Sequence, residues 1–136
     1  MTPEQRIAIL IEDDIVLARK AGRELAQEMG FGAIDCVLIT TAISELARNI
    51  FLYAGTGDVT LAKLDDSDEQ IGIEVVVQDQ GPGIEDLDKA MRDGYTTSNG
   101  LGLGLPGTRR LMDEFSVETA VGRGTTVRIR KWLKRR

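Results

Sequence analysis

The sequence predicts an α+β protein, a two-layer α/β sandwich with helices on one face of a mixed, mostly antiparallel sheet. Three observations lead there. Apolar residues recur at helical spacing from about Asp13 to Ala54. Short β-branched runs dominate Asp58 to Gln78 and Val117 to Trp132, and each region breaks into two runs around a turn, as hairpins do. Helices and strands are grouped rather than alternating, which argues against a parallel βαβ sheet. A length of 136 residues suits one domain, 1–136, around one core.

The elements follow in chain order. Arg6 to Ile11 is a short β-branched strand. Asp13 or Asp14 can cap a helix running to about Met29, with Ile15, Ala18, Gly22, Leu25 and Met29 on its apolar face and Gly30 and Gly32 at its end. A second helix is expected from about Ala33 to Ala54, its apolar face carrying Val37, Ile43, Ala47, Ile50 and Leu52, with Gly55 and Gly57 beyond it. Asp58 to Leu64 and Ile71 to Gln78 read as strands joined by the acidic turn 65–68. In the second of these, Ile73, Val75 and Val77 face one way and Glu74, Val76 and Gln78 the other. Leu87 to Met91 suggests a short helix. Pro106 in a first turn starts another, from about Gly104 to Glu114. Val117 to Ala120 and Thr125 to Trp132 form a last hairpin, turning at Gly122-Arg123-Gly124. The basic C-terminal run from Arg128 to Arg136 reads as an edge strand with solvated charges and a frayed tail.

Composition removes several function classes. A net charge of −5 argues against general nucleic-acid binding, which needs a basic face. The absence of histidine excludes Ser-His-Asp and Cys-His triads, histidine metal ligands and a self-phosphorylated histidine. The single cysteine, Cys36, cannot form an intramolecular disulfide, which fits a reducing cytosol. No apolar run approaches the roughly 20 residues of a membrane span, and charges at Glu4 and Arg6 interrupt any signal peptide.

The informative segment runs from Asp79 to Arg110. It opens with Asp79-Gln80-Gly81-Pro82-Gly83 and closes on Gly100-Leu101-Gly102-Leu103-Gly104-Leu105-Pro106-Gly107. Glycine alternating with leucine suits neither a strand nor a helix interior, and fits a backbone that approaches phosphate closely. Gly102 to Gly107 matches G-x-G-x-x-G, yet no strand precedes it and no acidic residue follows at the dinucleotide-fold distance. A P-loop fails because Thr108-Arg109 stands where Lys-[Ser/Thr] belongs. On glycine alone a flexible surface loop is as good a reading. Upstream, Glu45 and Asn49 lie at i and i+4 on one helix face; a solvated face is the plain alternative.

The order of these features carries the resemblance. A helix with Glu45 and Asn49, a strand ending at Asp79 before Gly81 and Gly83, a polar lid, glycines at a helix start, and a final Gly124-Thr125 turn come in the order of the ATP-binding domain of histidine kinases, Hsp90, gyrase B and MutL. The chain resembles that family, with its Bergerat fold, over nearly its whole length. Thr41 to Asn49 and Leu105 to Phe115 look most like the short serine/threonine kinases of bacterial partner-switching systems, the switch kinases of the stressosome.

The resemblance implies roles. Asn49 would hold Mg²⁺ on the ATP phosphates and Glu45 would act as general base. Asp79 would accept the adenine amino hydrogen, and Thr125 would support the same base edge through water. Gly81 and Gly83 would let the lid swing. Gly100, Leu101, Gly102, Leu103 and Gly104 would present backbone N–H groups to phosphate, with Arg109 facing the phosphates. Arg48, on the adjacent face, is expected to meet a partner or solvent. In one respect the chain departs from the pattern: Thr97, Ser98 and Asn99 stand where some relatives carry a lid arginine, leaving Arg109 or Lys89 to substitute and implying slow turnover. The implied function is a cytoplasmic ATP- and Mg²⁺-dependent kinase. It would phosphorylate STAS-domain scaffold and antagonist proteins and, once released, bind and activate a PP2C-type phosphatase, with no nucleic-acid or membrane partner. Two alternatives stand beside it: an anti-sigma factor of the same fold, and a nucleotide-gated binding module without useful kinase activity.

Overall fold

A computed structural model describes residues 4–65, 70–85, 91 and 104–133. Its elements are β1 (Gln5–Ile9), α1 (Asp13–Met29), α2 (Ala33–Asn49), a π-helical turn (Ile50–Ala54), β2 (Gly57–Asp65), β3 (Ile71–Asp79), α3 (Gly104–Leu111), β4 (Glu114–Ala120) and β5 (Gly124–Leu133). The sheet order is β1-β2-β3-β5-β4. Every pairing among the described residues is antiparallel, in keeping with the mostly antiparallel sheet expected from the sequence.

Alternation along the strands builds the core. Val59 and Leu61, Ile73, Val75 and Val77, and Val127 and Ile129 are buried on one face, against Ile15 and Ala18 of α1 and Ile39, Ile43 and Leu46 of α2. The helical layer is tight because Gly22 of α1 lies under Ile43; a Cβ there would strike the Ile43 Cδ1 atom. The helical face of α2 is Cys36, Ile39, Ile43, Leu46, Ala47 and Ile50, whereas Val37 and Leu52, expected in the core, are 60% and 49% exposed. An i, i+3, i+7 reading from Cys36 gives the true stripe; starting it at Val37 rotates the face by one residue. The segment Ala33–Tyr53 is long and apolar enough to cross a membrane by length and composition. Its buried stripe is the centre of the helical layer.

The strand β1 stops at Ile9, before the expected Ile11, because Asp14 intervenes. Its Oδ2 accepts the Leu10 and Ile11 backbone N–H groups at 2.9 and 3.0 Å, turning the chain into α1. Gly30, at φ 98°, ends α1 with the Phe31 N–H returning to the Ala26 carbonyl at 3.0 Å. The basic C-terminal segment is not an edge strand: β5 lies between β3 and β4, and β1 and β4 are the edges. Its arginines are paired on the open sheet face. Arg130 Nε donates to Glu74 at 2.8 Å, and Arg128 lies 3.6 Å from the same carboxylate. Trp132 Nε1 donates to Glu114 Oε2 at 2.6 Å.

Candidate functional site

One end of the sheet carries a row of residues across four strands. Gly57 pairs with Asp79, Asp79 with Thr125, and Thr125 with Thr119. Asp79 shares the face of Val77 and Val75, so it points toward the helical layer at the point where the core gives way to solvent. Its Oδ1 accepts the Gly81 N–H at 2.8 Å, an Asx turn that bends the chain out of β3. The second carboxylate oxygen takes no part in that turn.

The C-terminal end of α2 is brought to this row by two glycines. A Cβ on Gly57 would lie 2.8 Å from Ile50 Cγ2, and one on Gly81 would lie 2.6 Å from Ala54 Cβ. Real Cβ atoms do not approach so closely, so both positions must be glycine for the helix end to seat. The helix reaches them by widening: Gly55 N–H donates to the Ile50 carbonyl five residues back, at 2.8 Å. The expected α-helix to Ala54 therefore ends at Asn49, where a π turn begins. Such turns recur at functional sites because they re-aim side chains.

Glu45 and Asn49 lie on one face of α2, one turn apart, both half-buried. Arg48, expected to meet solvent or a partner, donates Nη1 to Glu45 Oε2 at 2.8 Å; their side chains are 42% and 15% exposed. The base candidate is thus the more sheltered partner of an ion pair. Gly83 has φ 79°, and a Cβ there would run into the Ala120 carbonyl. Gly81 has no such φ. Both glycines answer to close packing, in addition to any freedom they lend the segment that follows.

Helix α3 starts at Gly104, with Pro106 in its first turn, and packs against α2. Pro106 and Thr108 are fully buried, while Arg109 is exposed. Asp113, one turn beyond Arg109, accepts the Trp132 N–H at 2.8 Å. Gly100, Leu101, Gly102 and Leu103 lie outside the described residues, as do Lys89, Thr97, Ser98 and Asn99.

Thr119 escaped the sequence reading. Its Oγ1 accepts the Ile84 N–H at 2.8 Å, lies 3.2 Å from the Gly124 carbonyl and 2.9 Å from Thr125 Oγ1. Only the strand register could have flagged it, since it faces Thr125 across the β4–β5 hairpin. A depression of about 230 Å³ also opens at this sheet end. Its Gln78, Glu118 and Thr126 walls alternate away from the core side chains, so it reaches Asp79 and Thr125 from the side opposite α2.

Among the described residues no cluster of acidic or cysteine side chains could hold a metal. A divalent cation here needs few protein oxygens. The Asn49 amide oxygen beside phosphate and water oxygens fits Mg²⁺, which keeps much of its hydration.

Residues 34–135 match the family model for histidine kinase-, DNA gyrase B- and HSP90-like ATPases. The serine/threonine-protein kinase RsbT of Bacillus subtilis is 51% identical over 134 residues, covering 98% of this chain and 100% of that one. An anti-sigma F factor of Caldanaerobacter subterraneus is 36% identical over 71% of this chain and 70% of its own. Among solved structures, the RsbU and RsbW domains of a Mycobacterium tuberculosis protein superpose with a TM-score of 0.63 at 23% identity, covering 96% of this chain and 32% of theirs. The SiaB–SiaC complex of Pseudomonas aeruginosa gives 0.60 at 14% identity, over 96% of this chain and 89% of that chain. These last two likenesses concern the fold.

Proposed function

The chain belongs to the family of histidine kinase-, DNA gyrase B- and HSP90-like ATPases, and from that premise we propose an ATP- and Mg²⁺-dependent protein serine/threonine kinase of a cytoplasmic partner-switching pathway. The observation that supports this reading is the seating of the α2 end, at Ile50 and Ala54, against Gly57 and Gly81 next to Asp79, with Asn49 and Glu45 in the helical turns just before it.

The residues divide the work. Asp79 and Thr125 receive the adenine. Asn49 would hold Mg²⁺, which supplies charge neutralisation at the phosphates when bound. The backbone of 100–104 and Arg109 would meet the phosphates at the start of α3. Glu45 accepts the proton of a serine or threonine hydroxyl as that oxygen bonds to the γ-phosphorus; the bond from phosphorus to the bridging oxygen breaks, and ADP leaves with its electron pair. Arg48 holds the carboxylate in place through its 2.8 Å ion pair.

The substrates are STAS-domain scaffold and antagonist proteins, and the released kinase activates a PP2C-type phosphatase. The 36% identity to an anti-sigma F factor favours one second reading, in which the chain phosphorylates an anti-anti-sigma protein and holds a sigma factor. Affinity capture from cells separates them: STAS proteins and a phosphatase support the first, a sigma subunit the second. A chain that binds ATP tightly yet transfers no phosphate to any of these would be a nucleotide-gated binding module.

A further inference from the structure

We infer that Thr119 is a specificity-determining residue for the base: it turns Thr125 into a pure hydrogen-bond acceptor, so the site admits adenine and rejects guanine. The inference rests on the reading of Asp79 and Thr125 as the adenine end of the site.

A threonine hydroxyl has one hydrogen and two lone pairs. Thr119 Oγ1 has three neighbours: the Ile84 N–H at 2.8 Å, the Gly124 carbonyl at 3.2 Å and Thr125 Oγ1 at 2.9 Å. The Ile84 N–H can only donate, so it takes one lone pair. The Gly124 carbonyl can only accept, so it takes the single hydrogen. One lone pair is left for Thr125, which must then donate its own hydrogen to Thr119. The geometry closes because all three contacts converge on one oxygen held by the β4–β5 register.

Thr125 is left with lone pairs alone toward the ligand. Asp79 beside it, with Oδ1 held by Gly81, is likewise an acceptor. A base that meets this pair directly must bring the hydrogen. The exocyclic amino group of adenine brings two. Guanine presents a carbonyl oxygen at the same edge and meets lone pairs with lone pairs. The Ile84 contact adds a second consequence. Ile84 follows the Gly81–Gly83 turn, 35 residues before Thr119, so the same oxygen that polarises Thr125 also anchors the chain as it leaves that turn.

Thr119→Val removes the hydroxyl and keeps the β-branched shape. Thr125 then regains a rotating hydrogen and can donate to a guanine carbonyl. The ratio of GTP to ATP dissociation constants, measured by displacement of a fluorescent ATP analogue, should fall roughly three- to tenfold, the worth of one neutral hydrogen bond. Thr119→Ser, which keeps the hydroxyl, should restore the ratio. Thr125→Val should lower it to a similar degree, and the double variant should go no further, because one residue acts through the other. Thr119→Ala supplies a second removal should the valine not fit. An unchanged ratio in the folded Thr119 variants, or effects of the two threonines that add, would overturn the inference. If the unaltered protein binds ATP and GTP equally, it is the adenine reading of Asp79 that fails.

Discussion

On the proposed reading Asp79 divides its two oxygens between structure and ligand. Oδ1 holds the Gly81 N–H and so the turn; the other oxygen would meet the adenine amino group. Asp79→Asn can keep the first bond, but its amide NH₂ then opposes the amino group, donor against donor. ATP affinity should fall about tenfold or more, with GTP affected less; calorimetry on both nucleotides checks it. Asn49 is tested the same way. Asn49→Ala should abolish the gain in ATP affinity that Mg²⁺ brings, and an unchanged Mg²⁺ dependence would remove the residue from that role. Asp14 bears on stability rather than chemistry. The backbone N–H groups of Leu10 and Ile11 hold its carboxyl below the usual range. A folded-state pKa lowered below the unfolded value means its contribution is full above about pH 4, the ordinary aspartate value, and is lost as pH falls through the folded one. Asp14→Ala should therefore melt earlier than the parent at pH 7, and the gap should narrow below pH ~4; a gap independent of pH would contradict the assignment.

At the scale of elements, the site depends on how closely α2 and the last hairpin approach the end of β3. Gly124 sits at φ 105°, and a Cβ there would enter the Asp79 carbonyl. Gly124→Ala combines left-handed strain with a backbone clash. It should lower stability by at least about 1 kcal/mol and weaken nucleotide binding, seen by thermal melting with and without ATP. Gly81→Ala should act through Ala54, as an overpacked contact costing about 1–3 kcal/mol. These dependences explain what was legible beforehand. Strand pairs around turns, helix stripes and glycine-rich boxes are local patterns, so the two-layer sandwich and the positions of Glu45, Asn49, Asp79 and Thr125 could be read from spacing and order. The central place of β5 could not, because its pairing with β3, as of Asp79 with Thr125 and Ile71 with Leu133, spans a long stretch of chain and leaves no local trace. The π turn after Asn49 seats Ala54 against Gly81, a partner on the far side of the β2–β3 hairpin that no local pattern reveals. Thr119 needed the register, and the Arg48–Glu45 pair needed rotamers.

For the whole molecule, the open sheet face is charged and internally paired, while the α2 end meets the Asp79 row at one end of the sheet and α3 packs on α2. If the proposed scaffold and phosphatase both dock at that end, titrating phosphatase into a kinase–scaffold complex should displace the scaffold; a stable ternary complex would show separate sites. Scaffold phosphorylation adds close to two negative charges opposite a chain of net charge −5, which favours release. The most direct test of the account is transfer of radiolabelled γ-phosphate from Mg²⁺-ATP to a STAS-domain partner, by the parent chain and by Glu45→Gln, with ATP affinity measured alongside. The account predicts acid-stable phosphate on serine or threonine, and a Glu45→Gln rate lower by on the order of 10²- to 10⁴-fold at near-unchanged ATP affinity. Acid-labile phosphate, or a full transfer rate in Glu45→Gln, would contradict it.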